Sequence, residues 1–374
     1  MATGGVVTPE TLNESLADRV KRLDSQTSDL ANGLRATQSV VPSETLYGKA
    51  ARRFVTTWMI KGGLIRGHGW TFHLAFDVLE PVLGNLKAEL EPDPTASIPN
   101  PFADAPPPRQ DRTGASAPKL SAVVSAHNEQ DKLAACLGRL GFADEIVVLL
   151  DKCTDDTRAI AEAYSDRVID GHFSIEGDRR NAAIAACRGD WVLEVDADEH
   201  ASESMGSEVR HLIETSQYDW HEIPVDNVIG GTLVRKGWGA SYGKAAYPGL
   251  FRRGTKKWGK QRVHPSLTWT APRGRGPMLK TPITHYVDRD VSDMIRRLNS
   301  YSTARATDIV ERGEVNYLFS NLRRFVSRFH KCYVRRGGKE EGGYGFLIAV
   351  FAGLYPLLSY AKACEYRRSV RKAS

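Results

Sequence analysis

Short apolar runs alternate with helical segments between residues 120 and 199, and this alternation restricts the fold more than any other feature of the chain. Each run has the length and β-branched content of a buried strand, and the segments between them have the apolar spacing of helices. The four runs, in chain order, are LSAVVSAHN, EIVVLLD, RVID and DWVLEVDADE. Strands that alternate with helices in this way predict a doubly wound α/β domain with a parallel sheet.

Polar residues follow three of these strands, in the stretches SAHNE, LLDKCTDD and VDADE. Ligands of doubly wound sheets bind beyond the carboxyl ends of the strands, so the three stretches predict one polar crevice. The first strand is followed neither by GxGxxG nor by GxxxxGK with Ser or Thr after it. The sequence therefore excludes a dinucleotide fingerprint and a Walker phosphate loop at this position.

Acidic residues gather at the end of the fourth strand, where Asp196, Asp198 and Glu199 lie close together in the chain. Clustered carboxylates repel one another unless a metal ion or a cationic partner lies among them. The spacing of Asp196 and Asp198 can hold Mg²⁺ or Mn²⁺, directly or through water, while diphosphate oxygens fill the remaining positions. The sequence therefore predicts a divalent cation at this strand end.

The net charge of the chain is +6, but the excess of basic residues is confined to the C-terminal segment. Residues 321–374 hold 12 Lys and Arg against 3 Glu, a balance of +9, so the rest of the chain sums to −3. These basic residues flank the apolar run Phe346–Ala361, which is interrupted by Pro356 and is shorter than the ~20 residues of a spanning helix. The run favours a helix lying on an anionic membrane surface, with a helix packed on the protein's own core as the alternative.

Other features limit the location and the partners. No nucleic-acid motif accompanies the basic residues, so nucleic acid is not an expected partner. The five cysteines include no CxxC pair, which favours a reducing compartment over a disulfide framework or a zinc site. The first thirty residues lack the basic start and apolar run of a signal peptide. Together these features predict a cytoplasmic protein, peripheral on the inner face of the cytoplasmic membrane, and leave a homo-oligomer open.

An internal repeat brackets the α/β region. Residues 62–88 align without a gap on residues 337–363, at an offset of 275 positions, and RRFV precedes both copies. Each copy predicts a basic amphipathic helix, a glycine-rich turn and an apolar helix interrupted by proline. Two such hairpins can contact a membrane as a pair or pack on each other, and the sequence does not separate these alternatives. Matched positions include Gly62/Gly337, Pro81/Pro356 and Lys87/Lys362.

These patterns divide the chain into five segments. The linker is assigned from its content of Pro, Ala, Asp and Ser, and the N-terminal segment from its polar composition. We predict a poorly ordered N-terminal segment (1–45), a helical hairpin (46–90), a proline-rich linker (91–118), an α/β domain (119–305) and a basic, apolar helical region (306–374).

Eight ordered motifs of the α/β region resemble those of the family 2 glycosyltransferases, which have the GT-A fold. The resemblance covers about Leu120–Arg305 and continues in the C-terminal region, which is similar to membrane-associated enzymes that glycosylate lipopolysaccharide cores or other envelope glycolipids. It implies an inverting, metal-dependent transfer of a hexose from a nucleotide-sugar, preferably UDP-hexose, to a lipid-linked or lipopolysaccharide-type acceptor. The motifs are SAHNE, DEIVVLLDKCTDDT, RRNAAI, GDWVLEVDADE, LFRRG, RVHP, ITHY and LNSYS.

The resemblance also implies roles for individual residues in binding the donor. Asp151 is expected to accept a hydrogen bond from the nucleobase, and Arg180 to approach the phosphates. Asp198 is expected to contact the metal directly, with Asp196 nearer the ribose or a metal-bound water. The full set of implied donor-site residues is His127, Glu129, Asp151, Arg180, Asp196, Asp198 and Arg252.

An inverting transfer also needs a base that takes the proton of the acceptor hydroxyl. Related sequences often read Val-His-Glu where this chain reads Val-His-Pro at residues 263–265, so the expected carboxylate is missing. We predict the base among Asp226, Glu199 and His264. Two alternatives stay open. A nucleotidyltransferase of similar fold would also use Asp and Mg²⁺, although SAHNEQDK lacks its phosphate loop, and the missing glutamate is compatible with a catalytically inert membrane scaffold.

Overall fold

The structure is a computed structural model that describes residues 15–41, 49, 67–91, 100–108, 119–239, 243–260, 265–313 and 317–373. Predictions that fall on other residues, including the basic part of the N-terminal hairpin and His264, lie outside the described residues. The chain forms two compact units, named here the helical unit and the sheet unit. The helical unit comprises the described parts of residues 1–98, 229–243 and 288–374, and the sheet unit those of residues 99–228 and 244–287.

Within these ranges the α-helices are α1 (Leu16–Ala36), α2 (Gly67–Leu90), α3 (Leu133–Gly138), α4 (Thr157–Tyr164), α5 (Glu176–Ala185), α6 (Glu203–Thr215), α7 (Val291–Glu311), α8 (Leu318–His330) and α9 (Gly342–Ala373). The strands are β1 (Leu120–Ala126), β2 (Glu145–Asp151), β3 (Arg167–Gly171), β4 (Trp191–Val195), β5 (Glu199–His200), β6 (Trp220–Ile229), β7 (Thr232–Val234), β8 (Ala246–Arg252), β9 (Lys256–Trp258), β10 (Leu267–Trp269) and β11 (Ile283–Asp288). A π-helical turn (Lys331–Arg335) and a 3-10 turn (Gly338–Glu341) lie between α8 and α9.

Eight strands of the main sheet follow the order β3-β2-β1-β4-β8-β6-β11-β5. The pairs β3-β2, β2-β1 and β1-β4 are parallel, whereas β8 is antiparallel to both β4 and β6, and β5 is antiparallel to β11. The four parallel strands are the four strands that the sequence predicted. The predicted α/β architecture is therefore confirmed, and the antiparallel strands extend it on the side of β4.

Helices cover both faces of the parallel half of the sheet. On one face, α5 packs over β1 and β2 in a core that includes Val123 and Val147. On the other face, a second core joins Val124 of β1 to Leu137 and Met205. Because neighbouring residues of β1 enter different cores, the strand has to be apolar on both sides. This explains why the parallel strands read as continuous apolar runs in the sequence.

Helix α1 corrects, for residues 16–36, the prediction that the segment 1–45 is poorly ordered. Ser15 caps this helix, since its side chain accepts a hydrogen bond from the main-chain N–H of Asp18. The buried residues recur at helical spacing on the side that packs against α2. The polar composition that suggested disorder belongs to the exposed face of an amphipathic helix. The buried apolar residues of α1 are Leu16, Val20, Leu23 and Ala31.

Two predicted boundaries also differ from the compact units. The α/β domain was predicted to extend to residue 305, but the sheet unit ends at residue 287 and α7 belongs to the helical unit. The predicted linker, 91–118, includes residues 100–108, which belong to the sheet unit. There, Arg139 Nη1 donates a hydrogen bond to the main-chain oxygen of Asp104 at 3.0 Å. Such contacts hold a proline-rich stretch against a folded unit, which composition alone does not reveal.

The apolar run of the C-terminal region lies within α9. By length and composition, Gly338–Arg368 qualifies as a membrane span among the described residues, but 94% of its apolar window is buried inside the protein. Leu347, Phe351 and Leu358 are buried, and α9 packs on α7 and α8. The structure therefore shows the alternative in which this helix packs on the protein's own core. A membrane contact would have to use another surface of the helical unit.

The internal repeat is longer than the sequence alignment indicated. Helices α1 and α7 begin 275 positions apart, and so do α2 and α9. Both α1 and α7 are preceded by a capping side chain, Ser15 and Asp290, that accepts a hydrogen bond from the N–H of an aspartate three residues later. Each copy therefore consists of a capped amphipathic helix and a later apolar helix, at the same offset throughout.

Equivalent lysines anchor the apolar helix to the amphipathic helix within each copy. In the first copy, Lys87 Nζ donates to Asp24 Oδ1 at 2.7 Å. In the second copy, Lys362 Nζ donates to Asn299 Oδ1 at 2.5 Å. Asn299 lies 275 positions after Asp24, just as Lys362 lies 275 positions after Lys87. The donor and the acceptor of this hydrogen bond are therefore both repeated. Lys87 is fully buried and Lys362 nearly so.

The two copies of the repeat contact each other through hydrogen bonds. Lys87 Nζ in the first copy donates to Ser292 Oγ in the second at 2.8 Å. Asn299 Nδ2 in the second copy donates to the main-chain oxygen of Ala17 in the first at 3.0 Å. Ser292 is the equivalent of Ala17 in the repeat. The start of the amphipathic helix in each copy therefore accepts a hydrogen bond from the other copy, as in an isologous interface. Packing of the two longer copies on each other is therefore a feature of the described part of the helical unit.

Candidate active site

The carboxyl ends of β2, β1 and β4 lie side by side and bring the three predicted polar stretches together. Hydrogen bonds join the loops that follow β1 and β2. The N–H of Thr154 donates to Asn128 Oδ1, and the N–H of Glu129 donates to Thr157 Oγ1, both at 2.8 Å. Asn128 has a φ of 54°, a left-handed conformation that asparagine adopts more readily than most residues. The predicted polar stretches thus meet at one edge of the sheet unit.

One end of the crevice contains Asp151, the last residue of β2, which is buried. Its Oδ1 accepts a hydrogen bond from the N–H of Phe173 at 3.0 Å, and Arg179 Nη1 lies 3.9 Å from Oδ2. His127 Nδ1 donates to the main-chain oxygen of Asp151 at 2.5 Å, and its ring is exposed. A carboxylate acceptor and an exposed aromatic ring bonded to the main chain of the same residue offer the two kinds of contact that a nucleobase makes, hydrogen bonding and stacking.

At the end of β4, Asp196 lies between two cations of the protein. Arg180 Nη2 is 3.1 Å from its Oδ1, and Lys244 Nζ is 3.2 Å from its Oδ2. Burial alone would raise the pKa of Asp196, but the charges of Arg180 and Lys244 hold it well below its usual value. Asp196 is therefore ionised, and each carboxylate oxygen has a cationic partner. The sequence predicted a divalent cation at this strand end, but the partners of Asp196 in the structure are the side chains of Arg180 and Lys244.

A second group of residues fixes the position of Arg180. Its Nη1 donates to Glu194 Oε1 and its Nε to Glu176 Oε1, both at 2.9 Å. Lys256 Nζ donates to the other Glu194 oxygen at 2.6 Å. Burial would raise the pKa of Glu194, but Lys256 and Arg180 lower it, so this carboxylate stays ionised inside the strand. Three carboxylates therefore hold the Arg180 guanidinium in one orientation.

Glu199 is fully buried and supports Asp196. Its Oε2 accepts hydrogen bonds from the N–H of Asp196 and from the hydroxyl of Tyr247, both at 3.0 Å. Lys244 Nζ lies 2.6 Å from Oε1. Burial, followed by the charge of Glu199, raises the pKa of Tyr247 well above its usual value, so the hydroxyl remains a donor. An acceptor hydroxyl cannot reach Glu199, which corrects its prediction as the base and gives it a positioning role.

Asp198 faces the imidazole of His285, with 3.6 Å between Oδ1 and Nε2. Asn227 Oδ1 accepts a hydrogen bond from His285 Nδ1 at 3.0 Å, while Asn227 Nδ2 donates to the main-chain oxygen of Lys244 at 2.9 Å. The Asn227 amide thus places the proton on Nδ1, and in the neutral ring the lone pair of Nε2 faces Asp198. Burial would raise the pKa of Asp198, but the positive charge that His285 carries when Nε2 is also protonated lowers it.

Asp198 and His285 together fit a divalent cation. A carboxylate oxygen and an imidazole lone pair are both ligands of such ions, and Asn227 orients the imidazole from behind. Asp196, the second predicted metal ligand, is instead paired with Arg180 and Lys244. In the described part of the chain, no group of three or more His, Cys, Asp or Glu side chains is arranged to hold a metal. Further ligands would therefore come from substrate or water.

The remaining acidic candidates lie in different places. Asp226 and Asn227 are neighbours in β6, so their side chains point to opposite faces of the sheet. Glu129 follows β1, and its Oε2 is 3.1 Å from Lys132 Nζ. Burial raises the pKa of Glu129, and the nearby charges of Asp198 and Asp196 add to this effect. Glu129 therefore joins the acidic cluster, whereas Asp226 is not on the face of β6 that contacts His285.

Arg252 is not part of this site. It pairs in register with Trp191, the first residue of β4, whereas Asp196 follows the last residue of that strand. Its guanidinium lies 4.5 Å over the Trp191 ring and donates to the main-chain oxygen of Ser216 at 3.1 Å. Trp191 and Asp196 are five residues apart along the strand, a distance of about 16 Å. The implied role of Arg252 in the donor site is therefore corrected to a structural role at the amino end of the sheet.

Sequence reasoning missed the lysines of the site. Glu194 carried the available signal, because an acid inside an apolar strand needs a cationic partner when it is buried. That partner is Lys256, together with the predicted Arg180. Lys244 gave no comparable signal. It precedes β8, and it reaches the end of β4 only because these two strands are antiparallel.

The buried imidazole of His200 predicts a loss of stability in acid. Its ring packs edge-on against Phe102 and Tyr286, with centroid distances of 5.2 and 4.9 Å. Burial, followed by the charge of Arg139, lowers the pKa of His200 to about 4. The unfolded ring binds its proton near pH 6.5, so the stability contributed by the neutral ring is complete above this pH and is lost as the pH falls toward 4. The depressed pKa corresponds to roughly 3 kcal/mol.

We therefore expect His200→Phe to reduce the pH dependence of the free energy of unfolding over this interval. Urea unfolding of the parent and the variant at several pH values measures the effect. His211→Phe is the matched control, because His211 is exposed on α6. The assignment is contradicted if His200→Phe and the parent lose stability equally between about pH 6.5 and 4.

Comparisons with known proteins agree with this geometry. Residues 121–270 match the family described as Glycosyl transferase family 2. Over 268 residues the chain is 26% identical to the lipopolysaccharide core biosynthesis glycosyltransferase LpsC of Rhizobium meliloti (strain 1021), covering 68% of this chain and 94% of that protein. It is 24% identical over 260 residues to the uncharacterized glycosyltransferase RT0209 of Rickettsia typhi, covering 66% of this chain and 87% of that protein.

Among solved structures, S. aureus TarS 1-349 in complex with UDP-GlcNAc is similar with a TM-score of 0.38 and 14% sequence identity, covering 67% of this chain and 92% of that one. The family match runs from β1 to β10 and includes the acidic end of β4. The sheet order and this match confirm the family and fold that the sequence motifs implied. The chain therefore carries a glycosyltransferase family 2 domain, of the GT-A fold, over residues 121–270.

Proposed function

We propose that this glycosyltransferase is an inverting enzyme that transfers a hexose from UDP-hexose to a lipid-linked or lipopolysaccharide-type acceptor, with Mg²⁺ or Mn²⁺, at the inner face of the cytoplasmic membrane. The arrangement at the end of β4 carries the proposal. There, Asp198 faces His285, and Asp196 lies between Arg180 and Lys244. Asp198 and His285 suit a divalent cation, and Arg180 and Lys244 suit an anion. A diphosphate donor needs a bound cation and fixed positive charge.

The choice of nucleotide rests on Asp151 and His127. A carboxylate oxygen of Asp151 can accept the imide hydrogen of uracil, whereas cytosine has no hydrogen on the equivalent ring nitrogen. The exposed ring of His127, whose Nδ1 donates to the main-chain oxygen of Asp151, offers a stacking surface. These contacts favour a uridine nucleotide over a cytidine nucleotide.

The charge of the cluster supports a metal. Four carboxylates pair with three fixed cations, and Asp198 faces His285, so the five carboxylates and three cations sum to −2; Glu129 is paired with Lys132 and leaves this sum unchanged. A diphosphate would add further negative charge. A divalent cation at Asp198 and His285 would supply Lewis-acid stabilisation of the departing diphosphate. Arg180 and Lys244 would contribute fixed positive charge at the same strand end. The carboxylates are Glu176, Glu194, Asp196, Asp198 and Glu199, and the cations are Arg180, Lys244 and Lys256.

The acceptor and the location are proposed from two observations. The relative LpsC is named for lipopolysaccharide core biosynthesis and aligns over 68% of this chain. The C-terminal segment from residue 321 carries a charge balance of +9, which favours contact with anionic lipids. An acceptor with a lipid anchor would bring its sugar to an enzyme held at that surface.

The base that receives the acceptor proton stays a prediction. Glu199 is fully buried, so the candidates reduce to Asp226 and His264. Asp226 lies in β6, and His264 lies outside the described residues. Either residue would act on the side of the sugar opposite the leaving diphosphate, as inversion requires.

The donor site is tested by the thermal stability of the purified full chain with UDP, GDP or CMP, each with Mn²⁺ or with a chelator. A ligand at a hundredfold excess over its Kd stabilises the native state by about 2.7 kcal/mol. We expect UDP with Mn²⁺ to raise the melting temperature by several degrees, and the chelator to remove most of the shift. Asp198→Asn should lose the metal-dependent part, because a carbonyl oxygen replaces a charged ligand.

Glu214→Gln is the control variant, since Glu214 is an exposed carboxylate at the end of α6 that pairs with Lys119. It should bind UDP and Mn²⁺ like the parent. Stabilisation by CMP or GDP in place of UDP would reject the assigned nucleotide. A folded protein that none of the nucleotides stabilises would reject the donor site and favour the inert scaffold.

A further inference from the structure

The exposed side of α8 and of the π-helical turn that follows it consists of two neighbouring rows of side chains. One row, named here the apolar row, takes every fourth residue from Leu322 to Val334. The other, the basic row, takes every fourth residue from Phe319 to Arg335. Residues four apart lie one above the other on a helix, so each row forms a continuous stripe. The apolar row is Leu322, Val326, His330 and Val334, and the basic row is Phe319, Arg323, Ser327, Lys331 and Arg335.

The large apolar side chains of these rows are well exposed. Phe319 is 80% exposed and Val326 64%, while Val334 is 47% and Leu322 39% exposed. Single exposed apolar residues are common on protein surfaces, but a continuous apolar stripe on a helix usually faces a second surface. These side chains are therefore open to contact with a partner.

The opposite side of α8 fixes the helix to α9. Asn321 is buried, and Phe325 lies against Gly353 of α9, where an added Cβ would be 2.8 Å from Phe325 Cδ2. The Phe329 ring meets the Phe346 ring edge-on, with the two centroids 6.0 Å apart. Substitutions in the two exposed rows therefore leave in place the contacts that hold α8 on α9.

The charge of this segment selects the kind of partner. Residues 317–339 contain seven Lys and Arg and neither Asp nor Glu. Arg323, Lys331 and Arg335 border the apolar row, and long basic side chains can extend their charges toward an anionic surface while their stems stay in apolar contact. An apolar stripe bordered by basic residues is typical of helices that lie in the interface of anionic lipids.

A second copy of the chain fits this face less well than a membrane does. A dimer formed through the apolar row would place two segments side by side, each with seven basic residues and no acidic ones. Like charges that meet at an interface oppose association. The face is also the ridge of one helix rather than a groove, and a fluid lipid surface can conform to a ridge. These features favour an anionic membrane as the partner.

We infer that α8 docks on an anionic membrane surface, with the apolar row in the interface and the basic row at the level of the lipid head groups. The inference rests on the membrane location in the proposed function and deepens it, because it assigns the contact to one face of one helix. The apolar run of α9 stays inside the helical unit, where it is buried. An acceptor with a lipid anchor would meet the enzyme at the same membrane.

The test is sedimentation of the purified full chain with vesicles of phosphatidylcholine, alone or mixed with phosphatidylglycerol. We expect the parent to bind the mixed vesicles and to bind phosphatidylcholine weakly. Phe319→Ser with Val326→Ser should weaken binding to the mixed vesicles about tenfold or more, through lost apolar contact. Arg323→Gln with Lys331→Gln should weaken it about 25-fold, since each cation near an anionic surface contributes about fivefold.

Each pair of substitutions has a matched control in the sheet unit. Met278→Ser with Tyr218→Ser removes two large side chains that are 51% and 42% exposed. Lys119→Gln with Arg275→Gln removes two exposed cations. Both controls should bind the mixed vesicles like the parent. Equal binding of the parent to both vesicle types, or equal losses in the controls and the α8 variants, would overturn the inference.

Two further measurements separate the causes of a failure. Light scattering without vesicles gives the oligomeric state. A dimer that Phe319→Ser with Val326→Ser converts to a monomer would assign the face to a second copy and reject the membrane. The melting-temperature shift caused by UDP and Mn²⁺ is measured on the same proteins. If the parent shows this shift but binds neither kind of vesicle, the membrane inference fails and the donor site does not.

Discussion

Lys244→Met is expected to lower the turnover rate about 10²–10³-fold, the usual effect of losing one fixed group that stabilises developing negative charge. Lys244 Nζ is 3.2 Å from Asp196 and 2.6 Å from Glu199, and methionine keeps the length of the side chain without the charge. The variant is also expected to lose about 3–5 kcal/mol of stability, because Glu199 is left as a buried charge without its cation. Turnover is followed as UDP release, and stability by urea unfolding.

A second substitution separates the two effects. The double variant Lys244→Met with Glu199→Gln no longer contains the unpaired, buried carboxylate of Glu199. Most of the lost stability should therefore return. The turnover rate should stay low, because the cation beside Asp196 is still missing. Recovery of both quantities in the double variant would show that Lys244 only holds Glu199 in place. Lys119→Met, an exposed lysine paired with Glu214, is the control and should change stability by no more than about 0.5 kcal/mol.

The convergence of the three polar stretches could be predicted because it depends on local sequence. The carboxyl ends of parallel strands meet at one edge of a sheet, so SAHNE, LLDKCTDD and VDADE had to converge once the strands were recognised. Asp151, Asp196 and Asp198 lie there in the structure. Arg252 shows the limit of this reasoning. Its motif lies on an antiparallel strand, which runs away from the crevice, and only the register with Trp191 reveals this.

The cations of the site could not be predicted in the same way. Lys244 meets Asp196 across 48 positions of chain, and Lys256 meets Glu194 across 62. Such pairs depend on the order and direction of strands, for which short-range spacing contains no signal. The acidic cluster therefore pointed to a positive partner, and the sequence could not show that side chains supply part of it.

The helical unit shows a different limit. Matching glycine, proline and lysine positions revealed the repeat over residues 62–88, but α1 and α7 share mainly cap positions and polar contacts. Their equivalence becomes clear because Asp24 and Asn299 both bind the buried lysine of their copy. Likewise, the apolar run of α9 has the composition of an interfacial helix, and only its contacts with α7 and α8 show that it is buried. Composition fixes the affinity of a helix for an apolar environment, not which environment surrounds it.

The two equivalent lysines are expected to differ sharply when each is replaced by methionine. Lys87 is fully buried and paired with Asp24, whose side chain is 15% exposed. Lys87→Met removes the buried cation of this carboxylate and leaves the half-exposed Arg296, whose Nη1 is 3.2 Å from Asp24 Oδ2, so we expect a loss of about 3 kcal/mol. Lys362 donates to the neutral Asn299, Ser302 and Thr303. Its charged neighbour Glu365 is a weaker influence than burial, so Lys362→Met breaks no hydrogen-bonded ion pair. Its unfolding midpoint in urea should equal or exceed that of the parent.

The pH dependence provides an independent check on this difference. Burial is the largest influence on Lys362 and lowers its pKa to about 8, from an ordinary value of 10.5. Between these pH values the native lysine has released a proton that the unfolded lysine still holds, so the stability of the parent rises with pH. Lys362→Met lacks this proton, and any advantage over the parent at pH 7 should shrink as the pH approaches 10. Equal losses from Lys87→Met and Lys362→Met at pH 7 would show that pairing with Asp24 does not distinguish the two copies.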